Sequence, residues 1–343
     1  MKKFISLLLI ICCVFSVCAC SSASDSDIPD GAKTVIDGSG AEVVIPENND
    51  ELTIASVYAV SVPFLKALQL TDRVVAINVK SNFWTSVDEY LDAAGSVGRG
   101  KVDLEALAKY APDVLVHRSN DPETLEAVGE LGVQLLCISA EDMESIYYTL
   151  EMMGEYFGKE ERADEVIQWM DAKFAYIDSI VAQIPEDERV TALCMGGELG
   201  RIAGGDMLQS WMIEKAGGIC VANDVENNSN WITIGVEAIF DMNPDYIFCT
   251  SSTALDYKVD EILTDPTWSD ISAVKNNHVS VIPAKIDSWD LPGVEAELGT
   301  MWMLHQMYPE YFTLEQLEAE IEDYYMFMFG ETFDPEYLGY TLE

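Results

Sequence analysis

The most informative stretch for the fold is VDLEALAKYAPDVLV, residues 102–116, because a close variant of it, IGVEAIFDMNPDYIF, occurs again at residues 234–248. In each copy a glutamate, Glu105 or Glu237, stands eight residues before the aspartate of a Pro-Asp pair that leads into an apolar run. Both copies predict a short helix that ends before the proline and is followed by a buried strand. A duplicated helix–strand unit indicates a chain built from two similar lobes.

Short apolar runs alternate with helical patterns on both sides of the first copy. The runs that predict strands are LTIASV, RVVAIN, DVLVHRS and VQLLCIS, and the patterns that predict helices are SVPFLKALQL, DLEALAKYA and DPETLEAVGELG. In the last of these helices Asp121 is placed to be the N-cap and Pro122 the first helical residue. Such alternation predicts a mostly parallel sheet covered by helices on both faces.

The pattern changes near Asp142, where about forty residues follow a helical period that only Gly154 and Gly158 interrupt before Pro185 ends it. Strand–helix alternation then resumes around the second copy. We therefore predict an α/β fold of two Rossmann-like lobes with mostly parallel sheets, joined by one long rigid helix. The predicted divisions are a leader (1–19), a polar tether (20–33), a first lobe (34–141), the linking helix (142–184), a second lobe (185–312) and a helical tail (313–343).

The N-terminus has the features of a secretion signal. Two lysines precede an apolar stretch over residues 4–17, which has the length of a signal-peptide core and is short for a membrane span. The stretch ends in VCAC, residues 17–20, which resembles the bacterial lipobox. We expect cleavage before Cys20 and lipidation of its thiol, since the bulky Val17 disfavours Cys18. A plain cleaved signal is the alternative. The following SSASDSDIPDGAK is polar, as a tether should be.

Charge and motifs exclude several classes of function. The formal charge of −41 disfavours nucleic acid and anionic lipid surfaces as electrostatic partners. The chain contains no Walker A, G-x-G-x-x-G or G-x-S-x-G motif, so we expect no enzymatic activity. Beyond the leader the four cysteines are widely spaced in apolar runs, which favours buried free thiols and leaves a disulfide open. The three histidines are far apart, so we expect no dedicated metal site.

At the level of the whole mature chain, the sequence resembles the ABC-transporter substrate-binding lipoproteins for ferric siderophores, haem and cobalamin. The resemblance rests on VGRGKVDLEALAKYAPDVLVHRS, GKEERADEVI, AGGICVANDV, WITIGVEAIFDMNPDYIF and LGTMWMLHQMYPEYF, in this order. It implies the helical-backbone (class III) periplasmic-binding-protein fold, with the ligand held between the lobes. It also implies that Glu105 and Glu237 meet arginines of the membrane permease. The alternative is that each is an exposed acid favoured by the helix macrodipole.

Ligand-binding residues should lie at the strand ends that face the cleft. The candidates are aromatic, charged or both, and they are Tyr58, Lys80, Trp84, Arg99, Arg118, Arg201, Trp231, Trp289 and Asp290. Aromatic walls with one or two cations suit a bulky anionic chelate, because guanidinium pairs with carboxylate or catecholate oxygens while rings cover the apolar rim. Trp231 and Trp289 could instead pack in the core, and Arg99 could hold a loop.

The expected protein is therefore a monomer, lipid-anchored on the extracytoplasmic face of the cell membrane, which delivers an iron chelate to an ABC transporter permease. We expect no resident cofactor, because the metal complex is the cargo. Haem, cobalamin and a metal oxyanion remain open as ligands, since basic charge is sparse. A surface lipoprotein that sequesters its ligand without a transporter is the alternative from another functional class.

Overall fold

The computed structural model describes residues 31–78, 82–118, 122–226, 230–284 and 288–330. The elements below belong to the unit that begins at Lys33. A hairpin of β1 (Thr34–Ile36) and β2 (Glu42–Val44) comes first. The sequence did not signal this hairpin, because each of its strands is only three residues long.

The first lobe is built on a parallel sheet of five strands, in the order β5-β4-β3-β6-β7. Its strands are β3 (Ile54–Ser56), β4 (Val74–Ile77), β5 (Gly95–Ser96), β6 (Val114–Arg118) and β7 (Gln134–Ile138). Its helices are α1 (Ser61–Ala67), α2 (Asn82–Val87), α3 (Glu89–Ala93), α4 (Leu104–Tyr110) and α5 (Pro122–Glu130). Central strands are buried along their length, which explains their continuous apolar runs.

The connection between the lobes is helical, but the prediction of one long helix over residues 142–184 is wrong, since the structure divides it into α6 (Met143–Phe157) and α7 (Glu160–Val181). The break is a Schellman motif at Gly158, whose φ is +68°. The Lys159 N–H donates to the Gly154 carbonyl at 2.7 Å, and the Gly158 N–H donates to the Glu155 carbonyl at 3.5 Å. The 22-residue α7 is the long member of the pair, about 33 Å from end to end.

The second lobe repeats the parallel arrangement and adds antiparallel strands at one side. Its strands are β8 (Thr191–Met195), β9 (Arg201–Ala203), β10 (Ile219–Cys220), β11 (Trp231–Thr233), β12 (Tyr246–Cys249) and β13 (Val279–Val281). Its helices are α8 (Leu208–Lys215), α9 (Val236–Met242), α10 (Val259–Thr264), α11 (Ser272–Lys275) and α12 (Ala296–Met307). The order is β11-β9-β8-β12-β13, with β10 also paired to β8.

A last helix, α13 (Leu314–Phe329), returns to the first lobe and packs against α1. Phe329 meets Trp84 edge to face at 4.7 Å between ring centroids, and Phe327 stacks on Trp169 at 5.0 Å. The guanidinium of Arg162 on α7 donates to the Phe327 carbonyl at 2.8 Å. The end of the described chain is therefore held by both the first lobe and the linking helices.

The two copies of the recurring sequence adopt the same local structure. Helices α4 and α9 each have seven residues. Each ends at a left-handed residue, Ala111 or Asn243, with φ of +44° in both cases. In each copy the N–H of that residue closes one bond to the carbonyl four residues back, Leu107 or Ile239, at 2.9 Å. The two residues whose carbonyls accept these bonds are also equivalent in burial, since both side chains are fully buried.

The aspartate of each Pro-Asp pair fixes the following strand to the first strand of its sheet. Asp113 Oδ2 accepts from the Thr53 N–H at 2.8 Å and the Thr53 hydroxyl at 2.6 Å. Asp245 Oδ2 accepts from the Thr191 N–H at 2.9 Å and the Thr191 hydroxyl at 2.8 Å. These bonds lower the pKa of Asp113, the Thr53 hydroxyl contributing most. The duplicated aspartate is thus explained by strand pairing at the amino edge of each sheet.

One carboxylic acid lies deep inside the protein. Glu297, in the first turn of α12, is fully buried, and neither of its carboxyl oxygens has a hydrogen-bond partner among the described residues. Loss of solvation raises its pKa well above the usual value, and the backbone amide of Glu297 and the nearby Lys173 oppose that shift only partly. The Lys173 ammonium is itself bonded to Glu320 and Asp323, at 2.5 Å each. The raised pKa favours the protonated, uncharged form of Glu297.

The four described cysteines, Cys137, Cys194, Cys220 and Cys249, are buried and free, as the apolar runs around them predicted. Burial raises the pKa of the Cys137 thiol to about 12, with the neighbouring Asp37 adding to the effect. Burial also raises the pKa of Cys249 to about 11. Thiols in such surroundings behave as small apolar side chains with little reactivity.

Candidate functional site

Two arginines lie at the carboxyl edges of the two sheets, one in each lobe. Arg118 is the last residue of β6. Arg201 opens β9 beside the end of β8, where the Gly196 N–H donates to the Arg201 carbonyl at 2.6 Å. Ligands of open α/β sheets bind outside the carboxyl ends of the strands. The structure therefore brings both arginines to the edge where the sequence predicted ligand residues.

Arg118 is part of a small cluster with Tyr58 and Glu141. Its guanidinium carbon lies 6.0 Å from the centre of the Tyr58 ring, and its Nη2 donates to Glu141 Oε1 at 2.8 Å. The side chains of Arg118 and Glu141 are 48% and 58% exposed. An ion pair this exposed contributes little to stability. Arg118 can therefore exchange Glu141 for a ligand anion at small cost.

Tyr58 is half-buried beside that pair. Loss of solvation raises the pKa of its phenol, Arg118 lowers it, and Glu141 raises it further. The phenol is consequently neutral at physiological pH and can donate a hydrogen bond to an anionic oxygen.

Arg201 is 41% exposed, and its Nη1 lies 3.8 Å from Glu198 Oε1. In the antiparallel pairing of β9 with β11, Arg201 lies opposite Thr233, which is two residues after Trp231. The Trp231 ring covers Gly196, because a Cβ built at Gly196 would lie 2.9 Å from that ring. Arg201 and Trp231 therefore share the carboxyl edge of the second sheet, and Trp231 is half-buried there.

Three predicted ligand residues are core residues in the structure. Trp84 is 3% exposed, Trp289 is 1% exposed and Asp290 is fully buried. Their side chains offer no surface to a ligand, so we leave them out of the proposed site. Lys80 lies outside the described residues.

Asp290 organises the segment that follows β12. Its carboxylate accepts from the Thr250 hydroxyl, from the Ser251 N–H at 3.2 Å and hydroxyl at 2.9 Å, and from the Ser288 hydroxyl at 3.1 Å. Burial raises the pKa of Asp290 even though these four donors lower it. The network holds the polar run Thr250-Ser251-Ser252 at the carboxyl edge of the second sheet. Sequence reasoning missed this run, although three hydroxyl residues directly after the strand YIFC are a usable signal.

Arg99 and the two glutamates lie near helix starts at the surface. Arg99 is exposed in the turn closed by the Gly98–Val102 bridge, just before α4. Glu105 and Glu237 are exposed in the first turns of α4 and α9. Their shared position in the two lobes agrees with the equivalence that the repeated sequence indicates.

The predicted leader and Cys20 lie outside the described residues. Within residues 31–78, 82–118, 122–226, 230–284 and 288–330, no helix has both the length and the apolar character needed to cross a membrane. In the same part of the chain, no group of three or more His, Cys, Asp or Glu side chains is arranged to hold a metal ion.

Comparison with known proteins finds matches along most of the chain. A family model described as "Periplasmic binding protein" matches residues 54–286. The molybdate-binding protein MolA of Haemophilus influenzae is 22% identical, across 93% of this chain and 96% of MolA. An uncharacterized ABC transporter substrate-binding lipoprotein of Bacillus subtilis, YvrC, is 26% identical, across 72% of this chain and 76% of YvrC.

Solved structures share the fold. A periplasmic solute binding protein from Veillonella parvula superposes with a TM-score of 0.73 at 24% identity, covering 90% of this chain and 95% of that protein. MolA bound to molybdate superposes with a TM-score of 0.74 at 20% identity, covering 88% of this chain and 99% of MolA. At these identities the likeness concerns the fold, and it includes the two-lobed arrangement described above.

Proposed function

Because the chain belongs to the periplasmic binding protein family and is a substrate-binding protein of an ABC importer, we propose that it captures an anionic iron chelate between its lobes and delivers it to the permease. The observation that carries the ligand class is the pair of half-exposed arginines, Arg118 and Arg201, at the carboxyl edges of the two sheets. Among the described residues, the carboxylate that pairs with each arginine, Glu141 or Glu198, is itself exposed.

Oxygen-rich anions fit this pair. A guanidinium makes two parallel hydrogen bonds to a carboxylate or to paired catecholate oxygens, which a lysine cannot match. The neutral Tyr58 phenol adds a donor in the first lobe, and the Trp231 ring adds an apolar wall in the second. A siderophore chelate offers both kinds of surface, since its metal-bound oxygens are anionic and its scaffold is partly apolar.

Molybdate is the second candidate, and the likeness to MolA along almost the whole chain is the observation that favours it. A tetrahedral oxyanion needs several donors and no apolar wall. The two arginines and the Tyr58 phenol would supply those donors, because the Thr250 and Ser251 hydroxyls after β12 already donate to Asp290. Under this alternative Trp231 would have no contact with the ligand.

We further propose that the protein is held at the membrane through lipid on Cys20 and that Glu105 and Glu237 dock on arginines of the permease. Exposure of both glutamates at equivalent positions supports the docking role. The YvrC relative, named a lipoprotein, supports the anchor.

A ligand panel tests the proposal. The purified protein without its leader would be titrated with a ferric catecholate siderophore, a ferric hydroxamate siderophore, haem, cobalamin and molybdate, with tryptophan fluorescence and calorimetry as readouts. We expect tight one-to-one binding of one ferric siderophore. Tight binding of molybdate alone would identify the oxyanion, and not an iron chelate, as the ligand. Binding of none of the five would refute the ligand class.

A further inference from the structure

The two proposed docking surfaces have different chemistry although their backbones match. We call the exposed side chains around Glu105 the α4 face, which comprises Arg99, Lys101, Asp103, Leu104, Glu105, Ala108 and Lys109. We call the exposed side chains of the second copy the α9 face, which comprises Glu237, Phe240 and Asp241. Glu105 and Glu237 lie towards the carboxyl edges of their sheets, because α4 and α9 begin at those edges and run back towards the amino edges.

Charge separates the faces. Residues 99–109 carry three of the 19 lysines and arginines of the chain, Arg99, Lys101 and Lys109, in a protein of formal charge −41. Residues 230–245 carry no lysine or arginine, and Lys109 of α4 is replaced by Asp241 at the equivalent position of α9. The α4 face thus has three cations against its two acids, Asp103 and Glu105, whereas Glu237 is reinforced by a second acid, Asp241, one turn later. A basic partner is attracted more strongly to the α9 face.

An aromatic side chain adds to this difference. Phe240 is 45% exposed and lies three residues after Glu237, on the same side of the helix as Glu237 and Asp241. Its equivalent on α4 is Ala108. Exposed apolar residues are common singly. Phe240 differs from other exposed apolar side chains because two acids, Glu237 and Asp241, lie beside it on the proposed docking surface. Aromatic residues surrounded by polar contacts are frequent hot spots of interfaces.

From these observations we infer that the α9 face is the principal permease contact, in which Phe240 fills an apolar site beside the arginine that Glu237 binds. The α4 face makes the weaker contact, because its cations also repel basic groups. The protein consequently docks in a single orientation with unequal contributions from its lobes. This inference rests on the docking role proposed above and concerns how that role is divided.

The experiment measures the affinity of the anchorless protein for the cognate permease complex in lipid nanodiscs, with empty nanodiscs subtracted. Phe240→Ala is compared with Ile219→Ala, a matched control that removes a similarly exposed apolar side chain, 47% exposed, at the amino edge of the same lobe. We expect Phe240→Ala to weaken binding about tenfold, the scale of an interface hot spot, and Ile219→Ala to leave it unchanged.

Charge variants test the division between lobes. Glu237→Ala should weaken binding at least about tenfold and Glu105→Ala about threefold, by the same scale of contacts. Asp241→Lys should weaken binding, and Lys109→Asp at the equivalent position should strengthen it. Circular dichroism and thermal melting confirm that each variant is folded.

Equal losses for the two glutamate variants, or a Phe240→Ala affinity equal to that of Ile219→Ala, would overturn the inference while leaving the docking role intact. If neither glutamate variant changes the affinity, the docking role itself fails. These outcomes are distinct, so the test separates the inference from the proposal on which it rests.

Discussion

Replacing Glu297 with glutamine should make the protein more stable than wild type at neutral pH, by an amount that grows as the pH rises. The buried carboxyl has no hydrogen-bond partner among the described residues, and burial raises its pKa well above the usual 4.5. In the native state it therefore keeps a proton that the unfolded chain releases above about pH 4.5. Glutamine fills nearly the same volume and carries no proton to lose.

The magnitude follows from proton linkage. When the native state binds one more proton than the unfolded state, the free energy of unfolding falls by about 1.4 kcal/mol for each pH unit. At pH values between the unfolded pKa and the raised native pKa, wild type should therefore lose stability relative to Glu297→Gln with up to that slope. Because the native pKa of Glu297 is raised, its contribution to the free energy of unfolding is fully present below the unfolded pKa and is lost as the pH rises towards the native pKa. Tyr147 and Lys173 are the titratable neighbours, and the Lys173 charge is already bonded to Glu320 and Asp323.

Urea unfolding of both proteins at several pH values between 5 and 8 measures the difference directly. Glu318→Gln, which neutralises an exposed acid on α13, is the matched control and should follow the wild-type pH profile. Parallel profiles for wild type and Glu297→Gln would refute the assignment of a buried proton to Glu297.

Three further predictions concern binding, stability and anchoring. Arg118→Ala and Arg201→Ala should each weaken binding of the ligand identified by the panel by about 1.5–3 kcal/mol, measured by calorimetry; unchanged affinity in both would move the site elsewhere. Asp113→Asn should cost about 1 kcal/mol of unfolding free energy, because the lowered pKa of Asp113 means that its contribution is present at neutral pH and lost on acidification; a variant as stable as wild type at pH 7 would contradict this. Cys20→Ala should leave the protein unprocessed or released into the medium, detected by membrane fractionation; a variant still processed and anchored would disprove lipidation at Cys20.

The sequence predicted the alternation of strands and helices because buried parallel strands and amphipathic helices leave strong periodic patterns. The repeated Pro-Asp pair predicted equivalent positions in two lobes, and Asp113 and Asp245 show the physical reason in their matching bonds to Thr53 and Thr191. Gly158 interrupts the helical pattern of the linking segment in the sequence. The sequence alone did not show that α6 ends there.

Other features depend on tertiary packing, which residue type does not report. Trp289 and Asp290 have the chemistry of a ligand site, yet Asp290 is satisfied by hydroxyls from the chain segment after β12 and becomes part of the core. Strands β9 and β11 are three residues each, too short for a periodic signal. Arg99, which the sequence offered either as a ligand residue or as a loop residue, lies in the turn before α4, beside the proposed docking surface.

The proposed docking of Glu105 and Glu237 on the permease is tested most directly by a paired measurement on the double variant Glu105→Lys/Glu237→Lys. Its affinity for the ligand identified by the panel and its uptake of that ligand, radiolabelled at the metal, would be measured in cells that carry matched surface levels of protein. We predict wild-type affinity with uptake reduced to that of a strain lacking the protein, because both side chains are exposed and lysine places like charge against the permease arginines. Normal uptake by the double variant would contradict the docking role of the two glutamates.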